Sequence, residues 1–391
     1  MIGKNYGDEG KGLATDFFVS SKVLPSSEAI VIKHNGGAQA GHTVELKDGR
    51  RFVFHQLSSG SLRKASTLWV DTYMPDLYKL GEEAEAFRDM CSLPRIFSSV
   101  NACPVILYDV ILNQALEDGR EESRHGSCGM GINEASLRIK AGYGLSVEDF
   151  LGLSASKLKA RLITIKEEYV SRRLEQLSGE VKIAWEYTDL LNNETVLNNY
   201  IDDCLYNTNY ITPLDDSEIG RRLDNASGIV LEGAQGLLLD IDRADGAPHL
   251  TASKTGLHNP LIFTSHYGIE LTEVCYVTRS YVTRHGNGPL PLGLSSQETE
   301  GFIDRTNVPN KWQGTLRYAC HESPQSFVTE VINDSSSIDQ ERRTLLITHL
   351  NETDGKILMG NNKTDIGSIS QIRDTFSRVY RSFTPYSDDI I

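Results

Sequence analysis

No run of about 18 apolar residues occurs in the 391-residue chain, so no segment of it reads as a bilayer span. The opening Met1-Ile2-Gly3-Lys4 passes straight into glycine and charge, without the apolar core of a secretory signal. A cytoplasmic protein is therefore expected. The cysteines (Cys91, Cys103, Cys128, Cys204, Cys275 and Cys320) are scattered, with no C-x-x-C pair and no metal-ligand spacing, and reduced thiols follow. Basic excess is missing too: 39 Lys and Arg stand against 53 Asp and Glu, a net charge of −14. So acidic a chain has no general grip on nucleic acid or on an anionic membrane, and any polyanion it binds must sit in a local pocket. Nor is there an internal repeat, a low-complexity tract or a Pro- or Ser-rich linker. Residues 1–391 read as one body, and 39% hydrophobic with 24% charged residues makes it globular rather than disordered.

What is present is a series of short β-branched runs that break into glycine or polar residues. Ala29-Ile30-Val31-Ile32-Lys33 leads to Asn35-Gly36-Gly37, and Ile229-Val230-Leu231 to Glu232-Gly233-Ala234-Gln235-Gly236. Val274 to Thr278 leads on to Gly286-Asn287-Gly288-Pro289, and Thr344 to Thr348 to His349-Leu350-Asn351. Continuous apolar strands of this kind suit a mostly parallel central sheet flanked by helices, an α/β fold whose ligands gather beyond the carboxyl ends of the strands. Leu158, Leu162, Ile165 and Tyr169 mark an amphipathic helix from Ser154, its N-cap, to about Leu177. The polar, helix-rich stretch from about 150 to 225 reads as an insertion in the larger body.

Gly7-Asp8-Glu9-Gly10-Lys11-Gly12 sets three glycines around a lysine, so that backbone N–H groups approach a phosphate closely and the lysine adds charge. It is not a Walker A loop: Asn5 holds the first glycine's place, and Gly12 stands where a Ser or Thr would ligate Mg²⁺. An acidic residue must then take the metal, and Asp8 is placed to do so. Alone, the motif also fits a surface turn with a salt bridge. Asn35-Gly36-Gly37-Ala38-Gln39-Ala40-Gly41-His42-Thr43 ends a strand in a glycine-framed histidine, a setting that points to catalysis.

Together the two segments resemble the catalytic loops of adenylosuccinate synthetases, and further blocks follow in the family's order. His55-Gln56-Leu57-Ser58-Ser59-Gly60 is similar to H-x-x-P-S-G. Glu232-Gly233-Ala234-Gln235-Gly236, with Leu239-Asp240-Ile241-Asp242, is similar to E-G-A-Q-G-x-L-L-D-I-D. Thr283-Arg284-His285-Gly286-Asn287-Gly288-Pro289-Leu290-Pro291 is similar to T-R-V-G-x-G-P-F-P. The resemblance implies a homodimeric, P-loop-like α/β ligase. It would join L-aspartate to C6 of a purine nucleoside monophosphate, first phosphorylating the 6-oxygen from GTP or ATP. Asp8 matches the family's base and, with the Gly41 carbonyl, its Mg²⁺ ligands; His42 matches the residue that stabilises the phosphoryl group. Gln235 matches the side chain that orients the purine, and Lys11 neutralises phosphate. Gly7, Glu9, Gly10, Gly12 and Thr43 complete the phosphate loops. Gln39, Ser127, Cys128 and Thr251 fall at positions that hold the substrate nucleotide.

Departures bear on specificity. The family reads guanine with T-K-x-D, whereas Thr348-His349-Leu350-Asn351 ends in an amide; Asn351 either pairs with adenine or accepts one guanine hydrogen bond through its oxygen. The arginine-rich aspartate loop is replaced by Asn307 to Arg317, leaving Gln313 and Arg317 as its polar clamp. Gln39 is one methylene longer than the family's asparagine. Gly142 stands where the family extends an arginine across the dimer, which leaves open whether Arg138 substitutes. The C-terminal nucleotide clamp has no firm match at Ser368 to Gln371. This pattern is similar to shorter archaeal and phage members, some of which use deoxyguanylate. A hypoxanthine nucleotide is the first substrate reading and (d)GMP the second. A catalytically weak purine-nucleotide sensor is the alternative from a different class.

Overall fold

The apolar runs become strands because a β-branched segment buried on both faces satisfies its backbone only by pairing on both edges. A computed structural model describes residues 1–20, 28–302, 304–307 and 311–391. Its central strands are β1 (Ile2–Gly3), β2 (Ala29–Lys33), β3 (Ser66–Trp69), β4 (Ile96–Ser99), β5 (Ile211–Leu214), β6 (Gly228–Glu232), β7 (Val274–Arg279), β8 (Arg343–Thr348) and β9 (Arg378–Arg381). They pair in parallel in two groups, β5-β4-β3-β2-β6 and β1-β7-β8-β9. β1 is only two residues long, so the seam between the groups is thin. Met1 N donates to Leu231 O at 2.6 Å, Gly233 N to Met1 O at 3.0 Å, and Gly3 bridges Gly236. Every residue of β2 and β7 is buried, as expected of a sheet covered on both faces.

The polar stretch expected to be helical differs at its far end. The chain is helical from Ala155 to Ile165, passes a π turn at Lys166–Val170, and continues from Ser171 to Glu180. Leu158, Leu162, Ile165 and Tyr169 are all buried, packed with Trp69, Tyr73 and Phe87 of the sheet side. Ser154 occupies the N-cap without capping, its Oγ meeting Ser156 Oγ at 3.1 Å. The helices are interrupted after Tyr210 by the edge strand Ile211–Leu214, and a further helix follows at Asp216–Asp224. The strand's central pair Thr212-Pro213 is exposed, so the segment lacks the unbroken apolar run of the buried strands; proline is tolerated at a sheet edge because no ladder donor is needed there.

Arg138 is not free to reach across an interface. Its guanidinium donates to Asp109 at 2.8–3.2 Å, to Pro104 O at 2.9 Å and to Tyr143 O at 2.8 Å, and it is fully buried between helices Leu107–Gly119 and Ile132–Lys140. Removing one member of a buried ion pair strands the other. Arg138→Ala should therefore lower unfolding free energy by about 3–5 kcal/mol, read from urea titrations; a loss below about 1 kcal/mol would contradict this packing.

Candidate functional site

The carboxyl ends of β1, β2, β6, β7 and β8 open into one cavity of about 850 Å³. The loop after β1 forms its floor. Gly10 takes φ +99°, and a Cβ there would lie 2.9 Å from Thr348 Cγ2, so only glycine admits this approach to β8. The Glu9 carboxylate is buried within the loop, accepting from Asn5 N at 3.0 Å, Gly7 N at 2.8 Å and Lys11 Nζ at 2.6 Å. Glu9, expected to contact phosphate, is thus spent on shaping the loop that helix α1 (Lys11–Val19) follows. Lys11 faces the cavity as half of that pair.

Asp8 sits at φ +61°, an uncommon conformation for a non-glycine residue that orients its side chain into the cavity. Its carbonyl accepts from Arg279 Nε at 2.6 Å, and its Oδ2 lies 3.3 Å from His285 Nε2. Gln235 also has positive φ, +62°. Its Oε1, and both amide atoms of Gln39, are buried without partners. The two amides converge: a Cβ on Gly36 would lie 3.2 Å from Gln39 Nε2 and 3.8 Å from Gln235 Oε1. Buried amides left unsatisfied cost about 1–3 kcal/mol each, so this wall is arranged to receive polar atoms from elsewhere.

His42 begins the hairpin His42–Glu45/Arg51–Phe54, and its Nδ1 lies 2.7 Å from Glu232 Oε1 at the end of β6. Glu232 also accepts from Ser59 N at 3.2 Å and from Ser59 Oγ, with Lys33 Nζ at 3.6 Å. Burial favours its neutral acid, yet Lys33, His42 and Ser59 hold it well below the usual carboxylate range. Burial lowers His42, against the pull of Glu232, so its neutral form keeps the proton on Nδ1 and turns Nε2 to the cavity as an acceptor.

Of the remaining expected residues, Gly7, Gly12, Gly41, Thr43, Ser127, Cys128, Thr251, Gln313, His349 and Asn351 all line this cavity. Thr43 Oγ1 donates to Thr306 at 3.1 Å, and Ser127 Oγ accepts from Asn113 at 3.0 Å. Desolvation pushes the Cys128 thiol up to about 11, so it offers no thiolate. His349 carries no counter-charge either: burial against Tyr281, with Arg279 nearby, holds the imidazole neutral. Arg317 is the clear departure. It lies outside the cavity lining, its NH2 donating to the carbonyls of Gly286 and Gly288, so it braces the Gly286–Pro289 turn rather than clamping a substrate. Val308, Pro309 and Asn310 of the same expected loop lie outside the described residues.

Several lining residues were not anticipated. Arg279, at the end of β7, pairs with Asp304 at 2.8 Å, and Asp304 in turn accepts from the Thr306 and Asn307 amides. Arg284, His285 and Arg305 also face the cavity, so its cations are less sparse than Arg317 alone implied. From the C-terminal part of the chain, where the nucleotide clamp had no firm match, Ser382, Thr384, Pro385 and Tyr386 line the cavity. Among the described residues no three His, Cys, Asp or Glu side chains gather as a metal cluster. One half-buried carboxylate, Asp8, lines the same cavity as the Gly41 segment, an oxygen donor set that suits Mg²⁺ completed by phosphate oxygens.

A glycine-rich loop, a carboxylate and a carboxylate-oriented histidine meet in one cavity at the carboxyl edge of a parallel sheet, the usual ligand position of an α/β protein. The family model of adenylosuccinate synthetase matches residues 1–308. An adenylosuccinate synthetase of Ectopseudomonas mendocina (strain ymp) is 30% identical over 308 residues, 75% of this chain and 64% of that protein. One of Tolumonas auensis is 31% identical over 317 residues, 78% and 67% of the two chains. This chain therefore belongs to the adenylosuccinate synthetase family, and it spans about 64% of the length of the first relatives it matches. Two solved structures share its fold. The fully ligated adenylosuccinate synthetase from Plasmodium falciparum gives a TM-score of 0.70 at 19% identity, covering 100% of this chain and 98% of that one. The cyanophage S-2L succinoaminodeoxyadenylate synthetase, bound to dGMP and dATP as an energy donor, gives 0.63 at 15% identity, covering 100% and 93%.

The buried neutral histidines give the site a pH dependence. Burial lowers His34 and His321 to about 3 and also lowers His42. The unfolded chain binds protons to these imidazoles below about pH 6.5 while the folded chain does not, so stability falls with pH. Unfolding free energy should drop by about 1 kcal/mol for each of His34 and His321 between pH 7 and 5.5; a urea midpoint that holds or rises over that range would contradict it.

Proposed function

We propose that the chain is a Mg²⁺-dependent ligase that joins L-aspartate to C6 of a 6-oxopurine nucleotide, inosinate-like, with a nucleoside triphosphate split to diphosphate and phosphate. The observation that carries this reading is the pair of unpartnered amides, Gln39 and Gln235, on the wall of the cavity that holds Asp8 and His42. A purine's O6 and N1–H present one acceptor and one donor, and an amide matches both. Asp8 accepts the N1 proton, which makes O6 nucleophilic toward the terminal phosphoryl group. An O6–P bond forms as the diphosphate leaves. The aspartate amine then attacks C6, the C6–O6 bond breaks, and phosphate departs with O6. Bound Mg²⁺ would neutralise charge on the triphosphate, and Asp8 with the Gly41 carbonyl are the groups that would hold it.

His42 approaches the phosphoryl oxygens through Nε2. In its neutral form this nitrogen only accepts, so the arriving polyanion has to raise the proton affinity of the ring; His42 then donates both to Glu232 and to the phosphoryl group. Arg305 and Arg51, at the rim beside Thr306, are placed to meet the carboxylates of aspartate. Asn351 borders the cavity as an exposed amide, consistent with ATP as donor in place of GTP. The likeness of the Asn307 to Arg317 segment to shorter phage members that use deoxyguanylate supports (d)GMP as second substrate, giving the 2-amino product. Homodimerisation and a cytoplasmic setting accompany this proposal; among the described residues no helix is long and apolar enough to cross a membrane.

The test is a rate matrix of inosinate, guanylate and their deoxy forms against ATP and GTP, with aspartate and Mg²⁺, the succinylated product read by mass. At least one pair should yield product matched by phosphate. Asp8→Asn should lower kcat by about 10²–10⁴-fold, and Asn351→Asp should shift the donor ratio toward GTP about tenfold. Nucleotide binding without product in any pair would leave a sensor as the better reading.

A further inference from the structure

Buried cations are normally paired, because desolvating an unpaired charge is expensive. Two buried cations beside Tyr6, and a half-buried third, are not. Lys4 and Arg284 are 4% and 3% exposed, and neither they nor Arg317 makes an ion pair among the described residues. Arg284 and Arg317 are direct cross-strand partners in the hairpin Val282–Arg284/Arg317–Ala319, a placement in which like charges repel. The Nε atoms of both are buried without partners. Lys4 has only Asn5 Oδ1 at 3.1 Å and the Phe327 ring at 4.1 Å; Arg284 has carbonyls and the Tyr6 ring at 4.2 Å.

A second cavity, of about 320 Å³, lies on the other side of Tyr6 and Arg284 from the first, with Lys4 on its wall. The remaining cation of its lining, Arg243, is already neutralised by Glu330 at 2.6 Å and Asp245 at 2.8 Å. The third carboxylate of the lining, Glu322, is exposed, and with Glu330 and Glu9 it acts on the Lys4 amine from a distance; Lys4 and Arg284 themselves make no direct ion pair among the described residues. We propose that this second cavity is an anion site that takes one small oxyanion, a phosphate or a short carboxylate, between Lys4 and Arg284. Burial, opposed by Glu330, Glu9 and Glu322, lowers the Lys4 amine to about 8, and an anion beside it would raise it again. The site is independent of the ligase reading: it involves neither Asp8 nor His42, and stands if no reaction is found.

Inorganic phosphate and succinate, each titrated at ionic strength matched with chloride, identify the occupant by the thermal shift of the full chain. The phosphate loop of the large cavity binds phosphate as well, so two variants separate the sites. Lys4→Met should weaken binding at the second site at least tenfold, and Lys11→Met should leave that class of binding in place. Equal titrations for Lys4→Met and the unaltered chain would overturn the proposal. Should Lys4→Met fail to fold, acetylation of Lys4 in the unaltered protein by N-hydroxysuccinimidyl acetate at pH 8, read by mass, decides. Phosphate or succinate should slow it at least fivefold; an unchanged rate, or no acetylation with or without the anion, would overturn it.

Discussion

The carboxylate of Glu232 is the constraint on which the site is built. It lies at the end of β6 with no exposure to water, and a bare charge there would be untenable. Lys33 from β2, His42 from the adjoining hairpin and Ser59 from the turn beyond it all converge on it. Three segments between residues 33 and 59 are thereby fixed to one point on a strand far along the chain, and the tautomer of His42 is fixed with them. Because β2 and β6 are buried neighbours in a parallel sheet, the hub is set on rigid elements while the groups facing the cavity are loops.

The same logic explains how an acidic chain holds anionic ligands. Two of its cavity cations are stored in pairs, Lys11 with Glu9 and Arg279 with Asp304, and each acid also organises the backbone around it. Lys11 and Arg279 are therefore positioned before any ligand arrives, which lowers the ordering cost of binding. Arg284, Arg317 and Lys4 stand apart from this scheme. Hydrogen bonds to carbonyls fix the two arginines in place but leave their charge unanswered.

Much of the site was legible in the sequence because its parts are local. A glycine-rich loop, a glycine-framed histidine and E-G-A-Q-G each occupy a few consecutive residues at a strand end, and all face one cavity. The strands of Ala29–Lys33 and Val274–Arg279 were legible because burial on both faces writes itself as an unbroken apolar run. What was missed depends on distant partners. Arg279 and Asp304 gain meaning only as a pair, and Glu9 looked like a ligand because the loop amides that donate to it are invisible in a linear motif. Arg317 held the expected position but faces the back of a turn, and Ile211–Leu214 is masked as a strand by its exposed Thr-Pro centre.

The central claim is that the purine 6-oxygen is phosphorylated before the amine displaces it. The direct measurement uses the accepted nucleotide labelled with ¹⁸O at position 6 and follows the label by ³¹P NMR or mass. The account expects one ¹⁸O in each inorganic phosphate released with product. Product formation with unlabelled phosphate would contradict it.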